Sequence, residues 1–312
     1  MKRFAKYLII AFLIILFVRG FVLSWTTVAN DGMLPGIHKD EKIIINKIVY
    51  GARFPVTLLS LPFSNDKFLD WIQIPYIRIP GFSRISHNDI ICFNYPTKKD
   101  TPADKKPIFV KRCVGMPGDT LKISDKAVCL NGKVLNTKDA VNIYRIVTSG
   151  SYLSNNLISK YQIFNITPVL DSCIFDACLS REMAAKLKSE KIIRDVRVLR
   201  INENNKADLF PQNNFTGWTS DNYGPLLIPG KGITIKLNLS NVVLYRMIIE
   251  NYEKNLFYIS EGKYYVNGVE SNSYTFKLNY YFVLDDNRDF AFDSRYWGFL
   301  PEDHVIGKAV DF

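Results

Sequence analysis

The chain has 312 residues, of which 47 % are hydrophobic, and a formal charge of +10 at pH 7. This length can bury a substantial core in one large or two smaller domains, and the hydrophobic fraction excludes a chain made mainly of membrane spans. The positive charge suits an anionic membrane surface or nucleic acid, but we find no clustered basic helix, zinc-ligand spacing or aromatic RNA-binding motif. We therefore expect no nucleic acid partner, and we see no pattern that would bind a metal or another cofactor.

The chain begins with a basic, then strongly apolar, stretch. Lys2 and Arg3 precede an apolar run that is interrupted by Arg19 and ends at Trp25. Residues 4–25 provide the ~20 residues that a transmembrane helix needs. The basic start predicts a cytoplasmic N-terminus, with the rest of the chain outside the membrane. A cleaved signal peptide is the alternative, but no small-x-small cleavage site follows the apolar run.

Residues 26–134 are rich in strand patterns, as the abundant Tyr, Phe, Val and Ile of the composition favour. Asn131-Gly132 lies between alternating apolar residues, which is a strong hairpin signal. The strand-like run 108–110 leads directly into Lys111. A lysine at the end of an apolar strand can be partly desolvated, which lowers its pKa and makes it a usable general base. The same residue also fits an edge strand whose charge discourages aggregation.

Residues 135–276 carry no catalytic motif and alternate short strand patterns with Asn- and Gly-rich turns. A serine followed by a first-turn glutamate predicts a capped helix over 180–191, and 244–258 is a weaker helix candidate. We interpret this stretch as an inserted domain. Cys173 and Cys178 are close enough in sequence to pair outside the cytoplasm, but the sequence alone leaves their pairing open.

The chain closes with an apolar strand pattern followed by a group of acidic and basic residues. Asp286, Arg288, Asp293 and Arg295 are expected to form mutually satisfied ion pairs. A partly buried bidentate network of this kind would fix a loop firmly, which favours a structural role for these residues.

Four motif blocks, in this order, resemble type I signal peptidase, the membrane-anchored serine–lysine endopeptidase that removes signal peptides. The third and fourth blocks are the most specific. The blocks are Asp31-Gly32-Met33-Leu34-Pro35, Asn88-Asp89-Ile90-Ile91-Cys92-Phe93, Lys111-Arg112-Cys113-Val114-Gly115-Met116-Pro117-Gly118-Asp119, and Asp286-Asn287-Arg288 with Asp293-Ser294-Arg295-Tyr296-Trp297-Gly298.

The resemblance implies a mainly β protein, with an all-β core of antiparallel sheets and an extracytoplasmic β-rich insert that contains some helix. It implies a single-pass protein of the bacterial inner membrane, with membrane lipid and the signal peptides of exported preproteins as partners. The expected units are the anchor 1–25, the first part of the core 26–134, the insert 135–276 and the last part of the core 277–312.

The resemblance also places roles on single residues. It puts Lys111 at the general-base position and Asn30 at the oxyanion-hole position. The nucleophilic serine is replaced by Gly32, which has no side chain to attack a carbonyl. The serine that orients the lysine is replaced by Ala291. The residues expected to bind substrate are Val28, Met33, Pro35, Ile108, Phe109 and Val110, and those expected to support the site are Arg112, Asp286, Arg288, Asp293 and Arg295.

These replacements favour a signal peptidase homologue that does not cleave, or cleaves very poorly, and that binds preprotein ends or assists an active paralogue. In an extended strand Asp31 would face away from Lys111 and could not replace the lost serine. A water activated by Lys111 is a weaker possibility, because nothing orients it. An active signal peptidase with atypical chemistry and an unrelated membrane-tethered peptide-binding module are the alternatives.

Overall fold

The computed structural model describes residues 2–57, 74–97, 101–137, 139–150, 152–169, 171–200, 208–212 and 216–310. The strands are β1 (Leu23–Thr27), β2 (Lys42–Asn46), β3 (Ile90–Asn94), β4 (Ile108–Gly115), β5 (Thr120–Ser124), β6 (Ala127–Leu130), β7 (Lys133–Val134), β8 (Val141–Thr148), β9 (Phe164–Val169), β10 (Asp171–Ser180), β11 (Ile193–Val198), β12 (Tyr223–Leu227), β13 (Thr234–Lys236), β14 (Phe257–Ser260), β15 (Lys263–Val266), β16 (Val269–Glu270), β17 (Ser273–Thr275), β18 (Tyr280–Leu284), β19 (Leu300–Pro301) and β20 (Val305–Val310). The helices are α1 (Lys2–Phe17), α2 (Asn155–Lys160), α3 (Arg181–Leu187), α4 (Leu239–Met247) and α5 (Ser294–Trp297).

The main sheet has the strand order β1-β2-β20-β3-β4-β18-β19, and its neighbouring strands are antiparallel. The predicted mainly β fold with antiparallel sheets is therefore confirmed. Strand β4 lies inside this sheet, and its residues from Val110 to Gly115 are buried. Because the sheet joins the first blocks of the chain to its last residues, the N-terminal and C-terminal motifs meet on neighbouring strands.

A second sheet, β12-β5-β6-β7, packs beside the main one. Asn131 and Gly132 connect β6 to β7 with φ values of 52° and 83°, which confirms the predicted hairpin turn, since both central residues of such a turn need positive φ. One apolar cluster joins this sheet to residues of β18 and α4, including Leu121, Phe282 and Tyr245.

Residues between β8 and β11 form a separate antiparallel sheet, β11-β8-β10-β9, with its own apolar cluster. The predicted helix near residue 180 is confirmed as α3, and the Ser180 side chain accepts the N–H of Met183 at 3.2 Å. The weaker helix candidate, 244–258, overlaps α4 only in part. The helix begins earlier, after an Asn238 cap, and Phe257 already belongs to a strand. The division of the chain into core and insert stays a prediction.

The N-terminal helix continues through a π turn to Val22, and Arg3–Val22 has a mean hydropathy of 2.2, enough by length and composition to span a membrane. It ends before Trp25, the predicted limit, because Trp25 lies on β1 and pairs with β2. The Lys47 ammonium donates to the carbonyls of Arg19 and Gly20 at 2.7 and 3.1 Å. A cation at the carbonyl end of the helix stabilises it and joins it to the main sheet.

The cysteines of the insert, Cys173 and Cys178, both lie on β10 and form no disulfide in the described structure.

Candidate functional site

The turn that carries the first motif block lies against the C-terminal block. Asp31–Met33 forms a 3-10 turn, and the Asn30 side-chain oxygen caps it by accepting the N–H of Gly32 at 3.1 Å. The carbonyl of Gly32 accepts the N–H of Asn287 at 2.8 Å. Asp31 is exposed and accepts the N–H of Lys39 at 3.2 Å. Asp31 therefore points away from Lys111, although from a tight turn and not from the extended strand that we expected.

The buried amine of Lys111 contacts the carboxylate of Asp285, and both side chains are only 1 % exposed. Within the described part of the chain this carboxylate is the hydrogen-bond partner of Lys111. Its second oxygen accepts the N–H of Phe292 at 2.9 Å. Burial raises the pKa of Asp285, and Lys111 opposes that increase.

Asp285 also fills the space where a side chain at residue 32 would lie. A Cβ built on Gly32 would be 2.3 Å from Asp285 Oδ1 and 2.6 Å from its Cγ. Gly32 and Lys111 are therefore neighbours, as expected, but a single carboxylate lies between them. No room remains at this point for the serine side chain whose hydroxyl Lys111 would deprotonate.

The amine of Lys111 is thus in direct contact with a carboxyl group. A weakly bound water could replace that carboxyl group only by breaking a buried pair.

The C-terminal block holds Asp285 in place through a second buried pair. Asp293 accepts the backbone N–H of Asp285 at 3.1 Å and is bound bidentately by Arg295, whose nitrogens lie 3.0 and 2.9 Å from its two oxygens. Burial raises the pKa of Asp293, but the charge and hydrogen bonds of Arg295 lower it by more. The pKa of Asp293 therefore lies below its usual range. Arg295 also donates to the carbonyl of Arg288 at 2.7 Å, which closes the loop.

Arg112 pairs with Asp286, which we had expected to pair with an arginine of the C-terminal block, so that expectation was wrong for Asp286. Its Nε and Nη2 each lie 2.7 Å from one oxygen of Asp286, and Nη2 also contacts Asp139 at 2.7 Å. Arg288 does not join these pairs. It is 5 % exposed, and its Nε and Nη2 have no hydrogen-bond partner among the described residues.

Strand β4 offers the edge on which an extended peptide could bind. It pairs with β3 over residues 108–112 and with β18 over residues 112–115. On the β18 side, residues 108–111 have no strand partner in the part of the chain that the structure describes. This open edge leads directly to Lys111. Ile108 and Phe109 are half-buried and Val110 is buried.

The other predicted substrate contacts are less available. Val28 is buried, and its N–H and C=O are both bonded, to Glu41 and Asp40, at 2.9 Å. Met33 is buried in the apolar cluster that also contains Val28 and Val110, and Pro35 is half-buried. Within the described part of the chain, β4 presents an edge without a strand partner beside the site over residues 108–111.

Asn30 and Ala291 also lie at the site. The Asn30 side chain is exposed, but its oxygen accepts the N–H of Gly32, so that this N–H is not free to donate to an oxyanion. Ala291 follows the 3-10 turn Arg288–Phe290 and immediately precedes Phe292, which donates to Asp285. Among the described residues, no group of three metal-ligating side chains comes together.

Sequence reasoning missed Asp285. The signal was present, because Asp285 ends the apolar run of β18 and stands next to Asp286, so that two consecutive carboxylates follow a fully buried strand. Consecutive residues of a strand point to opposite faces. One carboxylate therefore reaches Arg112 and the other reaches Lys111.

Comparison with known proteins tests the family resemblance. A family model described as "Signal peptidase, peptidase S26" matches residues 1–168 and 228–311. The chain belongs to the type I signal peptidase family. It is 25 % identical over 304 residues to a signal peptidase I of Buchnera aphidicola subsp. Baizongia pistaciae, covering 96 % of this chain and 72 % of the relative.

Two further relatives show the same extent of likeness. A signal peptidase I of Buchnera aphidicola subsp. Schizaphis graminum is 23 % identical over 301 residues, covering 96 % of this chain and 70 % of the relative. A signal peptidase I of Aquifex aeolicus is 21 % identical over 310 residues, covering 99 % of this chain and 82 % of the relative. The family resemblance expected from the four motif blocks is confirmed.

Proposed function

We propose that this signal peptidase family protein binds the signal peptides of exported preproteins but does not cleave them, or cleaves them very poorly. One observation carries the proposal: the carboxylate of Asp285 occupies the space beside Gly32 and pairs with Lys111. The position of the nucleophile has no hydroxyl, and the base is bound to an acid. Losing a nucleophile costs several orders of magnitude in rate.

The open edge of β4 supports peptide binding. An extended peptide can add to such an edge through main-chain hydrogen bonds, with side-chain pockets supplying specificity. Residues 108–111 have their β18 side unpaired in the described structure and end at the Lys111–Asp285 pair. A bound peptide would thus lie beside the altered site without any change in the sheet.

The helix Arg3–Val22 supports a membrane anchor in the bacterial inner membrane, next to lipid. The basic residues at its start favour a cytoplasmic N-terminus, which places the β sheets outside the cytoplasm. The exposed ring of Trp25 lies 5.2 Å from the Arg19 guanidinium. Arg and Trp side chains are typical of the membrane interface, so this pair fits the outer end of the span. In this location the protein can meet preproteins and assist an active paralogue.

A cleavage and binding assay tests the proposal. The full-length protein in detergent is incubated with a preprotein, and a labelled signal peptide is titrated in parallel. We expect no turnover above the background of Lys111→Ala, together with saturable peptide binding. Turnover that disappears in Lys111→Ala would contradict the proposal and support an active enzyme with atypical chemistry. Absence of both turnover and peptide binding would contradict the binding role.

A proline scan of the open edge gives the matched control. Ile108→Pro removes the N–H that faces the open edge, because residues 107 and 109 direct their backbone groups to β3, and it should therefore weaken binding. Ile259→Pro, on the exposed strand β14, is the control, since that strand lies in a different sheet and should leave peptide affinity unchanged.

A further inference from the structure

A lysine, a histidine and an aspartate outside the site described above form a chain of hydrogen bonds. The Lys106 amine lies 3.2 Å from His304 Nε2, and His304 Nδ1 lies 2.7 Å from Asp303 Oδ1. Lys106 also donates to the carbonyl of Pro96 at 2.8 Å. Lys106 and His304 are 9 % and 6 % exposed. The chain of contacts therefore joins the loop before β4 to the turn before β20.

The contact with Asp303 decides which nitrogen of His304 carries the proton. Burial raises the pKa of Asp303, but the hydrogen bond and charge of His304 help to lower it below its usual range, so Asp303 is a carboxylate at neutral pH. A carboxylate only accepts hydrogen bonds, so His304 Nδ1 donates. Burial lowers the pKa of His304, which leaves the ring neutral. His304 Nε2 therefore has a lone pair and accepts an N–H of Lys106.

The Lys106 amine is partly neutral. Burial lowers its pKa to about 8, and Lys254 lowers it while Asp303 opposes the shift. Arg53 contacts the same group, since it donates to the Asp303 carbonyl at 2.6 Å. At pH 7 about a tenth of such an amine is neutral, against less than about a thousandth for an ordinary lysine. Within the described structure Lys106 uses two N–H groups as donors, so the neutral amine keeps its lone pair for a ligand.

In the described structure the three side chains line a cavity of about 1570 Å³. Its wall also contains the rings of Tyr95, Phe292 and Trp297, and the centroid of the Tyr95 ring lies 5.8 and 5.9 Å from those of the other two. Phe292 is 45 % exposed. Ligand pockets typically combine apolar and aromatic walls with a few placed polar groups. The cavity therefore suits a flat, apolar ligand whose polar end lies at Lys106.

A nucleophile within hydrogen-bond distance of a base, which is oriented by a third group, is the usual arrangement of an activated nucleophile. A neutral amine in such an arrangement can attack a carbonyl carbon and form a Schiff base. We propose that Lys106 is a nucleophilic amine that forms an imine with the aldehyde group of a flat, apolar ligand in this cavity. This inference does not rest on the proposed function.

The step balances with the groups present. The lone pair of Lys106 Nζ forms the C–N bond as the carbonyl π bond breaks, and His304 Nε2 accepts a proton from nitrogen and passes it to the carbonyl oxygen. The second amine proton follows the same route, and the oxygen leaves as water. Nothing is oxidised or reduced.

Reductive trapping of the full-length protein in detergent tests the proposal. Salicylaldehyde is the probe, sodium cyanoborohydride converts its imine to a stable secondary amine, and mass spectrometry of peptides measures the adduct at each lysine. At pH 7 we expect Lys106 to be labelled at least about tenfold faster than an ordinary exposed lysine. Lys186, an exposed residue of α3 paired with Glu182, serves as that reference. Labelling of Lys106 no faster than that of Lys186 would overturn the proposal.

Variants test the role of the histidine. His304→Gln can still form a hydrogen bond but cannot take up the proton, and should slow the labelling of Lys106 at least about tenfold. Asp303→Asn, which leaves His304 poorly oriented, should also slow it and provides the comparison if the glutamine variant does not fold. His87→Gln makes the same change at an exposed histidine that is paired with Asp119, and should leave the rate unchanged. Equal rates in the wild type and both cavity variants would contradict the role of His304.

The pH dependence distinguishes a reactive amine from a merely structural one. The labelling rate of Lys106 should increase as the pH rises and should level off above about 8, because the amine loses its proton there. A rate that is still increasing at pH 10 would contradict the proposal.

Discussion

The substitution Gly32→Ser tests how tightly Asp285 fills the site. The new Cβ would lie 2.3 Å from Asp285 Oδ1, whereas ordinary van der Waals contact begins at 3.4 Å, so one of the two groups must move by about 1 Å. Moving Asp285 breaks its buried pair with Lys111, and moving the turn strains a packed loop. We expect Gly32→Ser to destabilise the protein by about 1–3 kcal/mol, as overpacking typically does.

Asp285→Ala removes the clashing atoms but leaves the Lys111 charge buried and unpaired, which costs about 3–5 kcal/mol. In that background a serine at residue 32 no longer meets a carboxylate, and its nearest remaining neighbour is Asn30 Oδ1, 3.0 Å from the Cβ. Its hydroxyl can then accept a hydrogen bond from the lysine. The double variant should therefore be more stable than the sum of the two single effects predicts, by about 1–3 kcal/mol. The sign of this coupling follows from the geometry alone.

Chemical denaturation of the full-length protein in detergent measures the free energy of unfolding of the wild type, the two single variants and the double variant. Gly36→Ser is the matched control, because a Cβ at Gly36 has its nearest neighbour, Met33 O, at 3.8 Å. It should change the free energy of unfolding by less than about 0.5 kcal/mol. Strict additivity of Gly32→Ser and Asp285→Ala would refute the idea that the two residues compete for one space.

Three further predictions follow from the described contacts. Ser180→Ala removes the cap of α3 and should cost about 1 kcal/mol, measured against Ser83→Ala, an exposed serine outside any helix, as the control. Arg112→Lys keeps the charge but loses the bidentate bond to Asp286, and should lower the unfolding midpoint more than Arg194→Lys does, as thermal unfolding would show. For Asp119, burial raises the pKa, but hydrogen bonds from His87 and Met116 N–H lower it overall, so its native pKa lies below its unfolded value. Its stabilisation should be complete above the unfolded pKa of about 4 and should be lost as the pH falls through the native pKa. Asp119→Asn should flatten that acid-side loss in unfolding midpoints recorded against pH, and an unchanged pH profile would contradict this assignment.

The antiparallel core was predictable because its signals are local. Alternating apolar residues define the strands, and Asn131-Gly132 defines its turn through the φ values that it requires. The apolar run before Lys111 indicated that its amine could be desolvated, and Lys111 is indeed buried within β4, but its assignment as a site residue came from the family resemblance. The end of the first helix at Val22 could not be predicted from the sequence, because only the pairing with β2 shows that Trp25 belongs to a strand.

The pair between Lys111 and Asp285 could not be read from local patterns. The two residues are 174 positions apart and meet only because β18 pairs with β4. The surroundings of Arg288 also depend on the tertiary fold. The sequence pattern pairs acids and bases by proximity in the chain, whereas the fold gives Asp286 to Arg112, from a distant strand, and leaves Nε and Nη2 of Arg288 buried without a hydrogen-bond partner among the described residues.

The most direct test of the central claim compares two restored variants in a preprotein cleavage assay. Gly32→Ser with Ala291→Ser restores both family hydroxyls but keeps Asp285, and the triple variant adds Asp285→Ala. Without Asp285 the buried amine of Lys111 has no carboxylate beside it and is free to face a hydroxyl at residue 32, where it can act as a base. We predict Lys111-dependent cleavage by the triple variant and none by the double variant. Equal cleavage by the double variant, with Asp285 still in place, would contradict the account.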